Sequence, residues 1–372
     1  MGVEIKKVIF ICNYAANYGG NFLASLAKLS QNLSIDGIQS IYLFPNIASN
    51  KKWEIDLSEY KVIYTEFDES NIEISLKNII DEHTILHLHF MESLQQLSRL
   101  AEFANQYGAK IFFHEHMRRP GFSNYRIKRL VSQIVYNLGG VKRFYHSRLR
   151  GIKSIAVSPD VRKDLTKVVP KEQVVLVENA IFTDRLDNFT ENSIDSKRHA
   201  LIMGTDYRRK GVDLAIKAIA SSKYVSKIQL DILTHFIDRT EKLIIEDFGE
   251  IPNFVNILPV TQNVQDFYHK SFVFLSPSRS EAFGYAVIES AYCGTSVIAS
   301  DIPGQNVLKV VPYIQWITKE DVDSLASQID LVYEKEQSQV MLESIENRQF
   351  IKEHFAIDNW VTKIKELYTK IK

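Results

Sequence analysis

The sequence predicts an α/β protein of two domains, each built on a parallel sheet. Short apolar runs rich in β-branched residues alternate with longer amphipathic segments, which is the pattern of strands joined by crossover helices. A polar, strand-poor stretch at 179–198 divides this alternation into two series of similar size. The length of 372 residues also exceeds the usual size of one domain, which is about 100 to 200 residues.

The first series contains seven strand candidates, with helical candidates between most of them. These strands are predicted at Val8–Ile11, Ser40–Phe44, Val62–Tyr64, Ile85–His89, Lys110–Phe113, Ser154–Val157 and Val174–Val177. In the second series, strands are predicted at Ala200–Met203, Ile228–Leu233, Val255–Leu258, Phe272–Leu275 and Ser296–Ala299, and helices begin near Lys210, Asp238, Phe283 and Lys319.

The last segment of the chain is predicted to be a helix with one apolar face. Its apolar residues recur at spacings of three and four, and they are Ile357, Trp360, Ile364, Leu367 and Ile371. Such a face must pack on another part of the protein.

The composition is that of an ordinary globular protein, and no overall charge attracts it to nucleic acid. Forty-five Lys and Arg residues balance forty-five Asp and Glu residues. Cys12 and Cys293 follow no disulfide or metal-ligand spacing, which is typical of a reducing compartment. Asparagines and glycines interrupt the uncharged stretch between Lys7 and Lys28 too early for a signal peptide or a membrane span. We therefore expect a cytoplasmic chain without a nucleic-acid partner.

The segment Ser276–Glu289 carries the most specific chemical pattern. It follows an apolar strand and opens a helix that ends at Gly294, so its loop is expected at the carboxyl edge of the sheet. Backbone amides at a helix start favour a phosphate or diphosphate, and Gly284 lets an anion approach the backbone closely. Glu281 is predicted in the loop and Glu289 on the helix, so we expect the two carboxylates to contact different parts of one ligand. Carboxylates accept hydrogen bonds from hydroxyl groups.

Glu281 and Glu289, eight positions apart around Phe283 and Gly284, resemble the E-x7-E motif of retaining glycosyltransferase family 4. The resemblance implies that Glu289 binds the nucleotide ribose of the donor. It implies that Glu281 lies against the donor sugar and the diphosphate, and that Phe283 and Gly284 contact the same region through their backbone amides.

The same resemblance implies the GT-B architecture. Two Rossmann-like domains then face a central cleft, and the C-terminal helix crosses back to the first domain. The acceptor-binding domain is expected at 1–182 with the terminal helix 356–372, and the domain that binds the nucleotide sugar is expected at 183–355.

A second segment, 202–214, resembles the G-R-x-x-x-x-K-G segment of this family, in which an arginine and a lysine neutralise the leaving diphosphate. Lys210 matches the lysine. Thr205 stands in the place of the arginine, so we expect Arg209 or Arg208 to replace it, with Arg209 preferred.

Two glycines are expected beside the donor. Gly204 lies in the second segment, and Gly20 belongs to the pair Gly19-Gly20 after the first strand. The pair fits the loop that the family places over the donor, and it fits a simple tight turn equally well. The chain has neither the Walker A ending nor the G-x-G-x-x-G pattern of dinucleotide sites.

Histidines cluster at the ends of two adjacent predicted strands, as His87 and His89 on one and His114 and His116 on the other. Alternation along a strand places residues i and i+2 on one face, but no carboxylate or cysteine completes a known ligand set, so no metal is predicted. The family has a histidine near the anomeric centre at the end of a similar strand. By this resemblance His114 is the predicted catalytic residue, with His116 as the alternative.

Every charged side chain between His116 and Asp160 is basic, and aromatic residues are interleaved with them. The residues selected as a membrane or acceptor surface are Arg118, Arg119, Arg126, Lys128 and Arg129. Such a surface suits an anionic membrane or a lipid-linked acceptor, and a solvated helical face is the alternative. Asp321 and Asp323 are interpreted as acids at a helix start rather than as metal ligands.

The resemblance as a whole implies transfer of a hexose from a nucleotide diphosphate sugar, with UDP favoured, to a glycan or lipid-linked acceptor. It implies retention, no metal or other cofactor, and a role in the synthesis of cell-surface polysaccharide or glycoconjugate. The chain is then expected in the cytoplasm, peripheral on the inner face of the plasma membrane.

Two other functions remain open at this stage. Val177–Ala180 differs from the Pro-Asn-Gly that the family usually carries, and Thr205 replaces its arginine. These differences leave open a second function, that of a non-catalytic GT-B subunit that binds a glycan or a partner transferase. A nicotinamide-dependent oxidoreductase would suit the fold class, but the missing G-x-G-x-x-G counts against it.

Overall fold

The structure, a computed structural model, describes residues 4–51, 53, 57–116, 149, 151–167, 169–187 and 198–370. The chain divides into two compact units, one formed by 1–180 with 357–372 and the other by 181–356. The chain thus leaves the first unit once and returns to it at its end.

A seven-stranded parallel sheet forms the centre of the first unit. Its strands are β1 (Lys7–Cys12), β2 (Gln39–Pro45), β3 (Lys61–Thr65), β4 (Thr84–His89), β5 (Lys110–Glu115), β6 (Ile152–Ala156) and β7 (Val174–Leu176). They lie in the order β3-β2-β1-β4-β5-β6-β7. Strand order therefore reverses between β1 and β4, and open α/β sheets bind ligands at the carboxyl ends of strands at such a reversal.

Three of the helices described in this unit begin at a side chain that caps them. Before the terminal helix, the described helices are α1 (Gly20–Ile35), α2 (Glu69–Leu76), α3 (Leu94–Gln106) and α4 (Pro159–Leu165), and α1 begins after Gly19 without such a cap. Asp68, Ser93 and Ser158 each accept a hydrogen bond from a backbone amide in the first turn of α2, α3 and α4. Strand β4 is buried throughout, as expected of a strand covered on both faces.

A six-stranded parallel sheet forms the centre of the second unit. Its strands are β8 (Arg198–Met203), β9 (Ile228–Thr234), β10 (Val255–Pro259), β11 (Ser271–Ser276), β12 (Ser296–Ser300) and β13 (Ile314–Ile317). The order β10-β9-β8-β11-β12-β13 reverses between β8 and β11. All twelve predicted strands are confirmed, and β13 is the strand that the sequence did not predict.

The helices of the second unit are α5 (Tyr207–Lys210), α6 (Val212–Ala220), α7 (Ile237–Phe248), α8 (Val264–Lys270), α9 (Tyr285–Tyr292), α10 (Val322–Glu334) and α11 (Gln337–His354). Helix α10 begins at Asp321, whose carboxylate accepts a hydrogen bond of 2.9 Å from the amide of Ser324. Asp321 is therefore a capping acid, as predicted.

The terminal helix α12 (Ile357–Thr369) packs on α1 in the first unit. Trp360 and Ile364 are buried there, and Leu367 is half-buried. Tyr368 completes the buried face, whereas Ile371 lies outside the described residues. The predicted docking of an apolar helix face is confirmed. No helix in the described part of the chain is both long and apolar enough to cross a bilayer.

Candidate functional site

The candidate site of the second unit lies where the order of its sheet reverses. One turn, 204–211, follows β8, and one loop, 277–284, follows β11. A small recess, partly open to solvent, is lined there by residues that include Lys210, Glu281 and Gly284. The two sequence segments that resemble the glycosyltransferase motifs therefore meet at the edge where such sheets bind ligands.

Glu281 is the centre of a charged cluster in this recess. Lys210 Nζ lies 2.6 Å from Oε1 of Glu281, and Arg209 Nη1 lies 3.3 Å from Oε2. The hydroxyl of Ser278 donates a third contact of 3.1 Å to Oε1. Burial acts to raise the pKa of Glu281, but Lys210, Arg209 and Ser278 together outweigh it and hold this pKa below its usual value. The carboxylate is therefore ionised at neutral pH.

The two candidate arginines point to different partners. Arg209 also bonds Asp206 through Nε at 2.9 Å and the carbonyl of Ser280 through Nη1 at 3.2 Å, so it stays beside Glu281. Arg208 instead contacts Asp247 and lies 3.5 Å from Asp213. The geometry thus favours Arg209 as the second cation at the Glu281 carboxylate, with Arg208 on the other side of the turn.

Arg279, for which no sequence pattern predicted a role, joins the two motif segments. Its guanidinium forms two contacts of 2.8 Å with the carboxylate of Asp213 on α6. Its Nη1 also donates to the carbonyl of Arg208 at 2.6 Å, and its backbone amide donates to the carbonyl of Arg209 at 2.7 Å. Bidentate arginine–carboxylate pairs fix geometry as well as charge. Arg279 therefore holds the β11 loop against the β8 turn.

The backbones of the same two segments also touch at Gly211. This residue has a φ of 73°, and a Cβ placed on it would lie 2.2 Å from the carbonyl oxygen of Pro277. No L side chain fits there, so the Lys-Gly pair of the motif has a steric reason in this chain. Gly204 is also closely packed, because a Cβ on it would lie 2.5 Å from a methyl carbon of Ile232.

Helix α9 presents its N-terminus to the recess. Gly284 is the N-cap, with a φ of 97° and no side chain to cap the first amides of the helix. Partial positive charge at this end attracts an anion. The ring of Phe283 is buried against Tyr285 and Phe355, so only its backbone is available to a ligand.

Glu289 sits on α9 in an almost buried position with two partners of its own. Arg185 donates to Oε1 of Glu289, and the Tyr268 hydroxyl donates to Oε2 at 3.2 Å. Burial, with the charge of Glu289 adding to it, raises the pKa of Tyr268, so the phenol keeps its proton and remains a donor. Arg185 lies in the polar stretch that the sequence identified only as a linker. Neither Arg185 nor Tyr268 was predicted.

The remaining predicted residues belong to the first unit. Gly20 is exposed at the start of α1, whereas Gly19 before it is buried beside Leu23 and Trp53. The predicted basic surface of Arg118, Arg119, Arg126, Lys128 and Arg129 lies outside the described residues.

The four predicted histidines form one cluster at the carboxyl ends of β4 and β5. His87, His89 and His114 are fully buried. His89 pairs with His114 in the sheet register, and the His114 and His116 rings stack with centroids 4.4 Å apart. Burial lowers the pKa of His87 to about 3 and lowers the pKa values of His89 and His114 well below the usual value, so these rings are neutral. The ring of Trp360 stacks on His114 at 6.1 Å.

Comparison with known proteins agrees with this fold. Residues 184–349 match the model of glycosyl transferases group 1. An O-antigen biosynthesis glycosyltransferase of Escherichia coli, WclY, is 24% identical over 164 residues, which are 44% of each chain. The chain therefore spans less than half the length of this curated relative.

Solved structures are similar over nearly the whole chain. A glycosyltransferase from Rickettsia africae superimposes with a TM-score of 0.77 at 17% identity, covering 98% of both chains. HepE of Anabaena, solved with UDP and glucose, superimposes with a TM-score of 0.75 at 13% identity, covering 98% of this chain and 100% of that one. The chain thus has the fold of GT-B glycosyltransferases, and its second unit carries the sequence pattern of glycosyl transferases group 1.

Proposed function

We propose that the protein is a retaining glycosyltransferase of the family 4 type, which moves a hexose from a UDP-sugar to a glycan or lipid-linked acceptor without a metal ion. The observation that carries this proposal is the contact of Lys210 and Arg209 with Glu281 beside the N-terminus of α9. This edge of the sheet presents two cations, a carboxylate and a helix N-terminus, and such groups are suited to bind a sugar attached to a diphosphate. The match of 184–349 to glycosyl transferases group 1 supports the same assignment.

Each part of the donor has a partner in this proposal. The diphosphate binds the N-terminus of α9 together with Lys210 and Arg209, which takes the place of the arginine missing at Thr205. Glu289 accepts hydrogen bonds from the ribose hydroxyls, and Glu281 accepts one from the sugar. A carboxylate has about four lone-pair directions, so Glu289 keeps acceptor capacity beside Arg185 and Tyr268.

The proposed reaction breaks the bond between the anomeric carbon and the diphosphate oxygen, and the electron pair of this bond stays on the diphosphate. The acceptor oxygen bonds the anomeric carbon on the same face, and its proton passes to a diphosphate oxygen. Lys210 and Arg209 stabilise the negative charge that develops on the leaving group. The protein therefore acts by positioning and by electrostatic stabilisation.

His114 is the residue of the first unit that we propose at the anomeric centre. Its ring is neutral, so it offers a hydrogen bond to the reacting sugar without adding charge. The relative WclY, whose name concerns O-antigen biosynthesis, supports a role in polysaccharide synthesis. The HepE structure, which contains UDP, supports UDP as the nucleotide of the donor.

The acceptor is proposed to be lipid-linked and reached at an anionic membrane through the basic residues Arg118, Arg119, Arg126, Lys128 and Arg129. The protein should then sediment with phosphatidylglycerol vesicles at 0.1 M salt. It should dissociate at 1 M salt, where the Debye length falls from about 10 Å to about 3 Å. Sedimentation that is absent at low salt would instead favour a soluble glycan as acceptor.

A non-catalytic subunit is the second candidate, because Thr205 is exposed where the motif has an arginine. Isothermal titration with UDP, GDP, ADP and NAD separates the candidates. A transferase should bind UDP and should release UDP when a UDP-sugar and an acceptor are supplied. Binding of UDP without any sugar transfer or donor hydrolysis would favour the non-catalytic reading, and preference for NAD would favour an oxidoreductase.

The decisive experiment for catalysis compares two lysine variants. Lys210→Gln removes one of the two cations at Glu281, whereas Lys217→Gln removes an exposed lysine on α6 and serves as the matched control. Transfer should fall by about 100-fold or more in the first variant and stay unchanged in the second. The anomeric configuration of the product, determined by NMR, tests retention.

A further inference from the structure

Among the residues of the first unit that the structure describes, three histidines have ring nitrogens without a hydrogen-bond partner. His87 and His89 are two positions apart on β4, so both side chains point to one face of the sheet, and His114 lies beside them on β5. All three are fully buried. The proposed transfer uses His114 alone, which leaves His87 and His89 without a chemical explanation.

The unpartnered atoms are Nε2 of His87, Nε2 of His89 and both ring nitrogens of His114, within the part of the chain that the structure describes. A buried polar atom without a partner destabilises the fold, and native proteins contain few of them. Each neutral imidazole has one nitrogen with a lone pair, so three such rings in one cluster indicate that a group able to accept lone pairs belongs there.

These atoms also lie close enough together to share one ligand. One nitrogen from each of the three histidines lies within 4.8 Å of the other two. Nitrogens on a tetrahedral zinc ion are about 3.3 Å apart, given zinc–nitrogen distances near 2.05 Å. Zinc binding therefore requires the rings to rotate wherever their nitrogens are farther apart than this.

The other ring nitrogens are held in a way that suits metal ligands. Nδ1 of His87 lies 2.6 Å from the hydroxyl of Tyr368, and Nδ1 of His89 lies 2.9 Å from Nε2 of His116. A histidine that binds a metal through one nitrogen usually donates its other N–H to such a partner, which fixes its tautomer. Tyr368 and His116 therefore orient the Nε2 atoms of His87 and His89.

We propose that His87, His89 and His114 bind one transition-metal cation of the zinc class. Three neutral imidazoles without a carboxylate match the preference of zinc or cobalt(II) and do not suit calcium or magnesium, which require oxygen ligands. No metal was predicted from the sequence, because no carboxylate or cysteine accompanies these histidines to complete a known ligand set. Three histidines alone, however, form a known set of zinc ligands in which water completes the coordination. The cation has no part in neutralising the diphosphate, which we assign to Lys210.

The test is cobalt(II) binding to the full-length, untagged protein after treatment with a chelator. Because the ligand atoms are buried, loading uses prolonged incubation, and a parallel preparation comes from cells grown with added zinc. We expect one equivalent of cobalt with the visible absorption of a four- or five-coordinate site, displacement by zinc, and a higher melting temperature with zinc. Absence of the metal from both preparations would overturn the proposal.

Variants distinguish this site from other binding. His87→Gln, His89→Gln and His114→Gln should each weaken cobalt binding by at least tenfold, and circular dichroism checks that each variant is folded. His83→Gln, which changes a half-buried histidine of the same unit outside the cluster, should bind cobalt like the wild type. Tyr368→Phe keeps the buried ring but removes the hydroxyl at His87, and we expect a loss of about 10- to 100-fold. Equal binding by the wild type and all three cluster variants would exclude this site.

Discussion

Arg185 donates a charged hydrogen bond to Oε1 of Glu289, although 104 positions separate the two residues in the chain. Arg185 lies in a short 3₁₀ turn at Thr183–Leu186, and Glu289 lies on α9. The side chain of Glu289 is 8% exposed and that of Arg185 is 20% exposed. A polar stretch that looked like a simple linker thus provides the counter-charge for one of the two motif glutamates.

Arg185→Gln should destabilise the second unit. Removing one partner of a buried ion pair costs about 3 kcal/mol, because the other charge is left without compensation. For a domain of this size, that corresponds to a fall of roughly 6 to 12 °C in melting temperature. Calorimetry measures the change, and Arg239→Gln on the exposed face of α7 is the control. Equal melting temperatures for the two variants would show that the pair contributes nothing to stability.

Glu289→Gln should weaken UDP binding while the fold is retained. The amide accepts hydrogen bonds less strongly than the carboxylate, and loss of a hydrogen bond to a charged group costs about 1.5 to 3 kcal/mol, or roughly 10- to 150-fold in affinity. Isothermal titration measures the affinity, with Glu246→Gln, an exposed glutamate on α7, as the control. UDP affinity that is unchanged in a folded Glu289 variant would exclude the proposed ribose contact.

The sequence predicted the architecture because each strand is a local apolar run and each sheet repeats the same alternation. It missed β13, which has only four residues and a polar Gln315 within it. It also missed α11, because the buried side of that helix includes Glu343 and Asn347 and therefore shows little apolar periodicity. Buried polar residues such as these form their hydrogen bonds only in the folded protein, so they do not contribute to the apolar periodicity from which a helix is predicted.

The residues of the candidate site likewise fall into those that the sequence predicts and those that only the fold brings together. Glu281, Lys210 and Gly284 stand within two short segments, so their spacing is visible in the sequence. Arg279 and Arg185 act through carboxylates 66 and 104 positions away, and such pairings depend on how the sheet brings its loops together. The unpartnered nitrogens of the histidine cluster likewise become apparent only when burial is known.

Gly304→Ala should disrupt the Glu281 loop. A Cβ at this position would lie 1.9 Å from the carbonyl oxygen of Glu281, and the φ of 92° is unfavourable for alanine. Gly249 has a similar φ of 82°, but among the described residues no atom beyond its chain neighbours lies within 4 Å of an added Cβ, so Gly249→Ala introduces the backbone strain without a steric clash. We expect UDP affinity to fall at least tenfold more in the first variant than in the second. Similar affinities would mean that the loop adjusts without effect on the site.

Chelation should leave sugar transfer unchanged, because protein cations rather than a bound metal ion neutralise the diphosphate in the proposed mechanism. Lys210 and Arg209 already surround the Glu281 carboxylate at 2.6 and 3.3 Å, and the N-terminus of α9 adds partial positive charge. Turnover should therefore be equal with and without EDTA, including for protein whose histidine cluster has been emptied.

The Lys210→Gln variant provides the complementary measurement. It keeps Arg209 and Ser278 at the carboxylate of Glu281, so the fold should persist while the leaving group loses one of the two cations proposed to bind it. Its turnover should fall by about 100- to 1,000-fold, as for loss of one preorganised donor to a developing negative charge, and added manganese should not restore it. If the wild-type protein instead lost its activity on chelation and regained it with manganese, a metal ion and not Lys210 would neutralise the charge of the diphosphate.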